Sequence, residues 1–149
     1  MKGERILPTT YLLIALIVMV LFHFIFPIIK LIPCPWNLLG LIPMVIGILI
    51  NFIADGTLHK AVTTVKPYQE SSALVTDSLE GISRHPMYLG FVLLLSGVAI
   101  LLGSLSPWVI IPIFSFLMEV IFIRVEEKML DEKFGVTYLE YKKKVRRWI

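Results

Sequence analysis

Cysteine, histidine and charge are all scarce in this chain. Cys34 is the single cysteine among 149 residues, which excludes an intramolecular disulfide and a thiolate cluster for zinc. Charged residues make up 17% of the chain and hydrophobic ones 57%, and the mean hydropathy is +0.84. A water-soluble protein this small needs more polar surface, so a soluble Rossmann or barrel enzyme is excluded. Fourteen basic against eleven acidic residues leave a net charge of +3, too modest for a nucleic-acid reader. Neither nucleic acid nor metal is an expected partner. The chain has the length of one domain, 1–149, and is too short for two.

What is present is long apolar sequence. Residues 6–29 carry no formal charge, and at 1.5 Å per residue they can cross a hydrocarbon core of about 30 Å. Met1 to Arg5 is too weakly basic, and the run behind it too long, for a signal peptide, so a retained first span is expected over about 9–29. Pro33-Cys34-Pro35 marks a turn. A second span follows over 36–54, anchored at the interface by Trp36. Residues 55–86 form a polar loop with Lys60, Lys66, Glu70, Asp77, Glu80 and Arg84. From Pro86 to Met118 no charge appears, and Gly103-Ser104-Leu105-Ser106-Pro107 divides the stretch into a hairpin of two short spans, 87–103 and 107–123. The charged tail, 124–149, is expected to be helical with one interruption at Gly135. Its Tyr138, Tyr141, Val145 and Trp148 recur opposite Lys142, Lys143, Lys144, Arg146 and Arg147, the pattern of a helix lying on anionic lipid.

The expected fold is therefore all-α and integral to the membrane, with about four transmembrane helices, the last two a short hairpin, and a cytosolic C-terminal amphipathic helix. Four spans put both termini on one side. Lys2, Arg5, Lys60, Lys66, Arg84 and the eight basic residues of the tail share that side, and Lys30 alone lies opposite. The positive-inside rule makes it the cytoplasm. Loop and tail, the only polar material large enough for a site, thus share a face.

Three groups there can carry chemistry. Arg84-His85-Pro86-Met87-Tyr88-Leu89-Gly90 opens the third span: Arg84 and His85 can grip an anion, Pro86 suits a first helical turn, and Gly90 allows close approach. Snorkelling charges and a helix-start proline are the competing explanation. Glu126 and Glu127 follow the fourth span, and two carboxylates at a membrane boundary call for a cationic partner, either a sulfonium or ammonium ligand or simply Arg124 and Lys128. Glu119 lies inside the apolar run and, on a continuous helix, shares a face with Glu126 seven residues on. His23, among phenylalanines, reads as a structural neutral histidine. Gly40 and Gly47, like Gly90 and Gly97, fall on one helical face suited to close helix contact.

Thr63-Thr64-Val65-Lys66-Pro67, Ala73-Leu74-Val75-Thr76, Arg84 to Gly90, and Glu126-Glu127 with Leu130, Phe134-Gly135, Tyr138 and Tyr141 together resemble the isoprenylcysteine carboxyl methyltransferase family. That family groups with the phospholipid N-methyltransferases among membrane enzymes that use S-adenosylmethionine. The resemblance covers about 63–148. It implies a cofactor pocket built from Arg84, His85, Tyr88 and Gly90, with Glu126 and Glu127 binding the amino or sulfonium end of S-adenosylmethionine. It also implies a lipophilic methyl acceptor arriving from the membrane lipids: a prenylcysteine-like carboxylate, a phospholipid amine or another small lipid. An amine acceptor needs a base, for which Glu119 or Glu126 is suited, and an anionic one needs a cation, Arg124 or Arg84. Ser78, Glu80 and Gly81 stand where the family commonly has Gly, an aromatic and Arg. Two other functions remain in competition: a membrane reductase of the sterol-reductase type, and a non-catalytic membrane scaffold.

Overall fold

Pro8 and Pro86 each stand at the start of a long helix, where a fixed φ is preorganised and the missing N–H would have had no partner anyway. The computed structural model describes residues 7–60 and 82–148, with backbone alone at 58–60. Lys2, Arg5, Lys66, Glu70 and Asp77, the motifs at 63–67 and 73–76, and Ser78, Glu80 and Gly81 lie outside the described residues, as does the side chain of Lys60.

Helix α1 spans Pro8–Ile25 and stops four residues short of the expected 29. Pro27 explains the difference, since a proline disfavours helical geometry in the residue before it, and Phe26 leaves the helix at φ −125°, ψ 66°. The following backbone pairs with the far turn. Leu31 and Ile32 donate to the Gly103 carbonyl at 2.7 and 3.1 Å, and Leu105 donates to that of Ile29 at 3.0 Å. His23 Nδ1 lies 2.7 Å from Ser104 Oγ, the partner that its neutral, structural reading lacked in sequence.

A short tight turn, Trp36–Gly40, leads into α2, Leu41–Lys60. This helix runs past the expected end at 54 and takes in Asp55, Gly56 and Thr57, whose hydroxyl donates back to the Ile53 carbonyl. Helix α3, Pro86–Leu102, ends on Gly103 at φ 73°, a left-handed cap that glycine adopts without penalty. A turn at Ser106–Val109 opens α4, Ile110–Met118. A π-helical turn, Glu119–Ile123, joins it without a break to α5, Arg124–Phe134. Gly135, at φ 54°, separates α5 from α6, Val136–Lys144.

The described residues are thus all helix and turn, without a strand, and three helical stretches are long and apolar enough to cross a membrane: Pro8–Ile25, Trp36–Thr57 and Ser106–Phe134. Helix α3 is apolar but shorter. Helices α2 and α3 pack antiparallel through their glycines. A Cβ at Gly47 would lie 2.5 Å from the Gly90 carbonyl, and one at Gly97 2.5 Å from that of Gly40. Met19, Leu95, Ala99, Phe114, Met118 and Phe122 fill the centre where α1, α3 and α4 meet. Outward, Ile17, Phe24 and Phe52 are 60, 73 and 73% exposed, the inverse of a water-facing surface.

Candidate functional site

At the end of the bundle where α3 begins, four pieces of chain converge: Ser83 to Tyr88, the π-helical turn, the first turn of α5, and the stretch after α6. Glu127 is at the centre. Its Oε1 lies 3.1 Å from Arg84 Nη1 and 3.3 Å from His85 Nε2. Arg147 clamps it through both oxygens, with Nε donating at 3.1 Å and Nη2 at 2.7 Å. Glu126 faces the other side of the same histidine. His85 Nδ1 is 3.4 Å from Glu126 Oε2, and the Tyr88 hydroxyl donates to Oε1 at 2.9 Å. Arg147 Nη1 also donates to Glu119 at 2.9 Å, so one guanidinium bridges the π-helical turn to α5.

Burial shapes the electrostatics. His85 is 6% exposed. Burial opposes its charge, and the hydrogen bonds and charges of Glu126 and Glu127 outweigh it, so the imidazole titrates above its ordinary value of 6.5. Hydrogen bonding to Glu127 holds the Arg147 guanidinium above its own ordinary range. The Tyr138 phenol, fully buried beside the cluster, is pushed up by desolvation and by the Glu127 charge. Tyr88 stacks on Phe122, with ring centroids 6.3 Å apart, which fixes its hydroxyl over Glu126.

Arg84, His85, Tyr88, Glu126, Glu127 and Glu119 therefore meet, as the two sequence motifs flanking one hairpin require. Two expected members do not join them. Gly90 packs against Gly47 and Asn51 of α2, so the space its missing side chain leaves is filled by a helix. The Arg124 side chain is 62% exposed and, among the described residues, pairs with Glu119 alone, at 3.5 Å. The register along the helix also differs. The π-helical turn inserts one residue into the α pattern, which brings Glu127 rather than Glu126 over Glu119, and Arg147 spans that pair. Arg147 was missed because nothing in the basic run from Lys142 to Arg147 marks it out.

The tail's apolar stripe faces inward, not to lipid. Tyr138, Tyr141 and Val145 pack on Leu130 and Phe134 of α5, and Trp148 on the bundle core. The chain leaves the helix at Val145, so Arg147 and Trp148 lie on a non-helical strap. The turn at Gly135 folds α6 back onto α5, where this face finds an apolar partner within the protein.

The cluster suits a ligand carrying charge of both signs. Carboxylates at Glu119, Glu126 and Glu127 stand beside guanidinium groups at Arg84 and Arg147, and Arg84 Nε is buried without a hydrogen-bond partner among the described residues. Such an orphaned donor is a natural place for a ligand acceptor atom. Among the described residues, no three side chains form a metal-holding group.

The profile of the phospholipid methyltransferase family matches residues 36–137. The yeast Saccharomyces cerevisiae protein-S-isoprenylcysteine O-methyltransferase is 40% identical over 114 residues, covering 73% of this chain and 46% of its own length. The Arabidopsis thaliana protein-S-isoprenylcysteine O-methyltransferase A is 32% identical over 108 residues, covering 71 and 55%. The structure of a eukaryotic intramembrane Ras methyltransferase, an isoprenylcysteine carboxyl methyltransferase, superposes with a TM-score of 0.66 at 24% identity, over 95% of this chain and 51% of that one; this likeness is one of fold. The chain spans about half the length of these relatives. With most of its length matched, the chain belongs to the phospholipid methyltransferase family, and its similarity there is to the isoprenylcysteine carboxyl methyltransferases.

Proposed function

We propose that the protein is an integral-membrane methyltransferase that moves a methyl group from S-adenosylmethionine to a lipophilic acceptor. The observation that carries this reading is the meeting of the α3 start with the α5 carboxylates, in which Arg84, His85 and Tyr88 hold Glu126 and Glu127 at hydrogen-bonding distance. S-adenosylmethionine has a sulfonium and an ammonium to be met by carboxylates and one carboxylate to be met by a cation, and the cluster offers both. When bound it supplies an electrophilic methyl group for in-line displacement. Glu126 would hold the ligand's positive end and Arg84 Nε its carboxylate. Tyr88 and His85 orient Glu126, and the apolar bundle beside the cluster excludes water, so alignment supplies much of the rate. Glu119 is the carboxylate suited to take a proton from an amine acceptor.

In this reading the chain is one domain with four passes, α3 and Ser106–Ile123 forming a short hairpin, and with both termini and the site on the cytoplasmic side. The acceptor enters laterally from lipid. Calorimetric titration of the purified protein in nanodiscs with S-adenosylhomocysteine tests the reading. Saturable binding that His85→Ala and Glu126→Ala abolish, while both variants still insert, is expected. Folded wild-type protein that takes up no ligand overturns it.

A further inference from the structure

Beyond α6 the backbone leaves the helix at Val145, at φ −122° and ψ 128°, and lies against the chain that leads into α3. The Arg84 amide donates to the Arg146 carbonyl at 3.0 Å, and the Ser83 hydroxyl to the Arg147 carbonyl at 3.1 Å. Ser83 Oγ in turn accepts from the His85 amide at 3.2 Å. Trp148 is anchored on the bundle core. The Arg147 backbone is therefore held on both sides before its side chain makes any contact.

That side chain divides the labour between the adjacent carboxylates. A carboxylate has about four acceptor directions. Glu127 receives four donors, from Arg84, His85 and Arg147 Nε on Oε1 and from Arg147 Nη2 on Oε2, and is 6% exposed. Glu126 has Tyr88 and His85, and its side chain is 25% exposed. We propose that Arg147 is a positioning residue that locks Glu127 into the site and joins Glu119 to it, leaving Glu126 as the carboxylate that meets a ligand's cation. The two glutamates, equivalent in the sequence motif, then have different roles: Glu127 orders the site and Glu126 binds. Lysine cannot replace the arginine, because one ammonium point charge does not reproduce a fork that engages both Glu127 oxygens and Glu119 together.

The inference rests on the methyltransferase reading for its ligand, and the test separates the two. Wild type, Arg147→Gln and Arg147→Lys are placed in nanodiscs and titrated with S-adenosylhomocysteine at a temperature where melting curves show each folded. Hydrogen exchange of the ligand-free proteins is followed in parallel. Arg147→Gln is expected to weaken binding by about tenfold or more, Arg147→Lys to fall between it and wild type, and exchange over residues 83–89 to quicken in both variants while 91–99 keeps its protection. Binding by Arg147→Gln within threefold of wild type, or Arg147→Lys indistinguishable from wild type, overturns the positioning role. Wild type that fails to bind counts against the methyltransferase reading, and the lock is then decided by exchange alone: unchanged protection over 83–89 in Arg147→Gln overturns it.

Discussion

Glu127 is nearly buried, and Arg84, His85 and Arg147 all point at it. Removing its charge leaves the Arg84 guanidinium, 12% exposed, without its carboxylate and Arg147 with Glu119 alone, and breaking a buried pair in this way costs about 3–5 kcal/mol. Glu127→Gln is therefore expected to lower the unfolding midpoint in mild detergent steeply. Glu126→Gln, with two partners and a quarter of its side chain in solvent, should cost about 1 kcal/mol or less. Equal losses would contradict the asymmetry between the two. His85 adds a pH dependence. Its folded pKa lies above 6.5, so the folded protein keeps a proton that the unfolded chain releases first. That stabilisation is complete below about pH 6.5 and disappears as the pH rises through the folded value. Melting temperatures of wild type should fall from pH 6 to pH 9, and those of His85→Gln should fall less; a parallel decline in both would show that the histidine is not responsible.

Among the helices, the α2–α3 contact depends on absent side chains. A Cβ at Gly97 would stand 2.5 Å from the Gly40 carbonyl and 2.7 Å from the Met44 backbone nitrogen. Neither can yield without the helices parting, so Gly97→Ala is expected to destabilise by about 1–3 kcal/mol. Gly56→Ala is the control. Nothing lies within 4 Å of its added carbon, and the better helix propensity of alanine should leave stability unchanged or raised by up to about 1 kcal/mol. Denaturant titration of both variants in one detergent makes the comparison. The glycine contact was readable from sequence because a spacing of seven puts two residues on one face of any α-helix. The same arithmetic set Glu119 on one face with Glu126, whereas Arg147 joins it to Glu127, because a π-helical turn leaves no mark in residue spacing and moves everything after it by one position. Gly90 was readable in the same way: its spacing with Gly97 put it on the packed face, where it meets Gly47 and Asn51. Arg147 was unreadable for a different reason, since only the reversal at Gly135 and the non-helical strap bring it back to a carboxylate 20 residues earlier.

Considered as a whole, the molecule has two unlike ends. At one, Arg84, His85 and the three glutamates meet the strap; at the other, Gly103, Ser104 and Lys30 close the turns. Helix α3 connects them, and its 17 residues at 1.5 Å each separate them by about 25 Å, close to the thickness of a hydrocarbon core. Cys34, exposed and two residues after Ile32, belongs to the second end because Leu31 and Ile32 are bonded to Gly103. It is thus a native reporter of orientation. If the positive-inside rule governs this chain, Cys34 faces away from the cytoplasm and a membrane-impermeant maleimide added to intact cells should modify it. A cysteine placed on the exposed face of α6, Lys143→Cys combined with Cys34→Ser, should react only after the membrane is opened. Labelling of Cys34 solely in opened cells would reverse the orientation, and labelling of both positions from outside would mean that α3 does not carry the chain across. The second outcome bears most on function, because the halves of the site, the α3 start and the α5 start, are the two ends of the hairpin that α3 opens, and the depth of that hairpin sets where a soluble donor and a lipid-dissolved acceptor can meet.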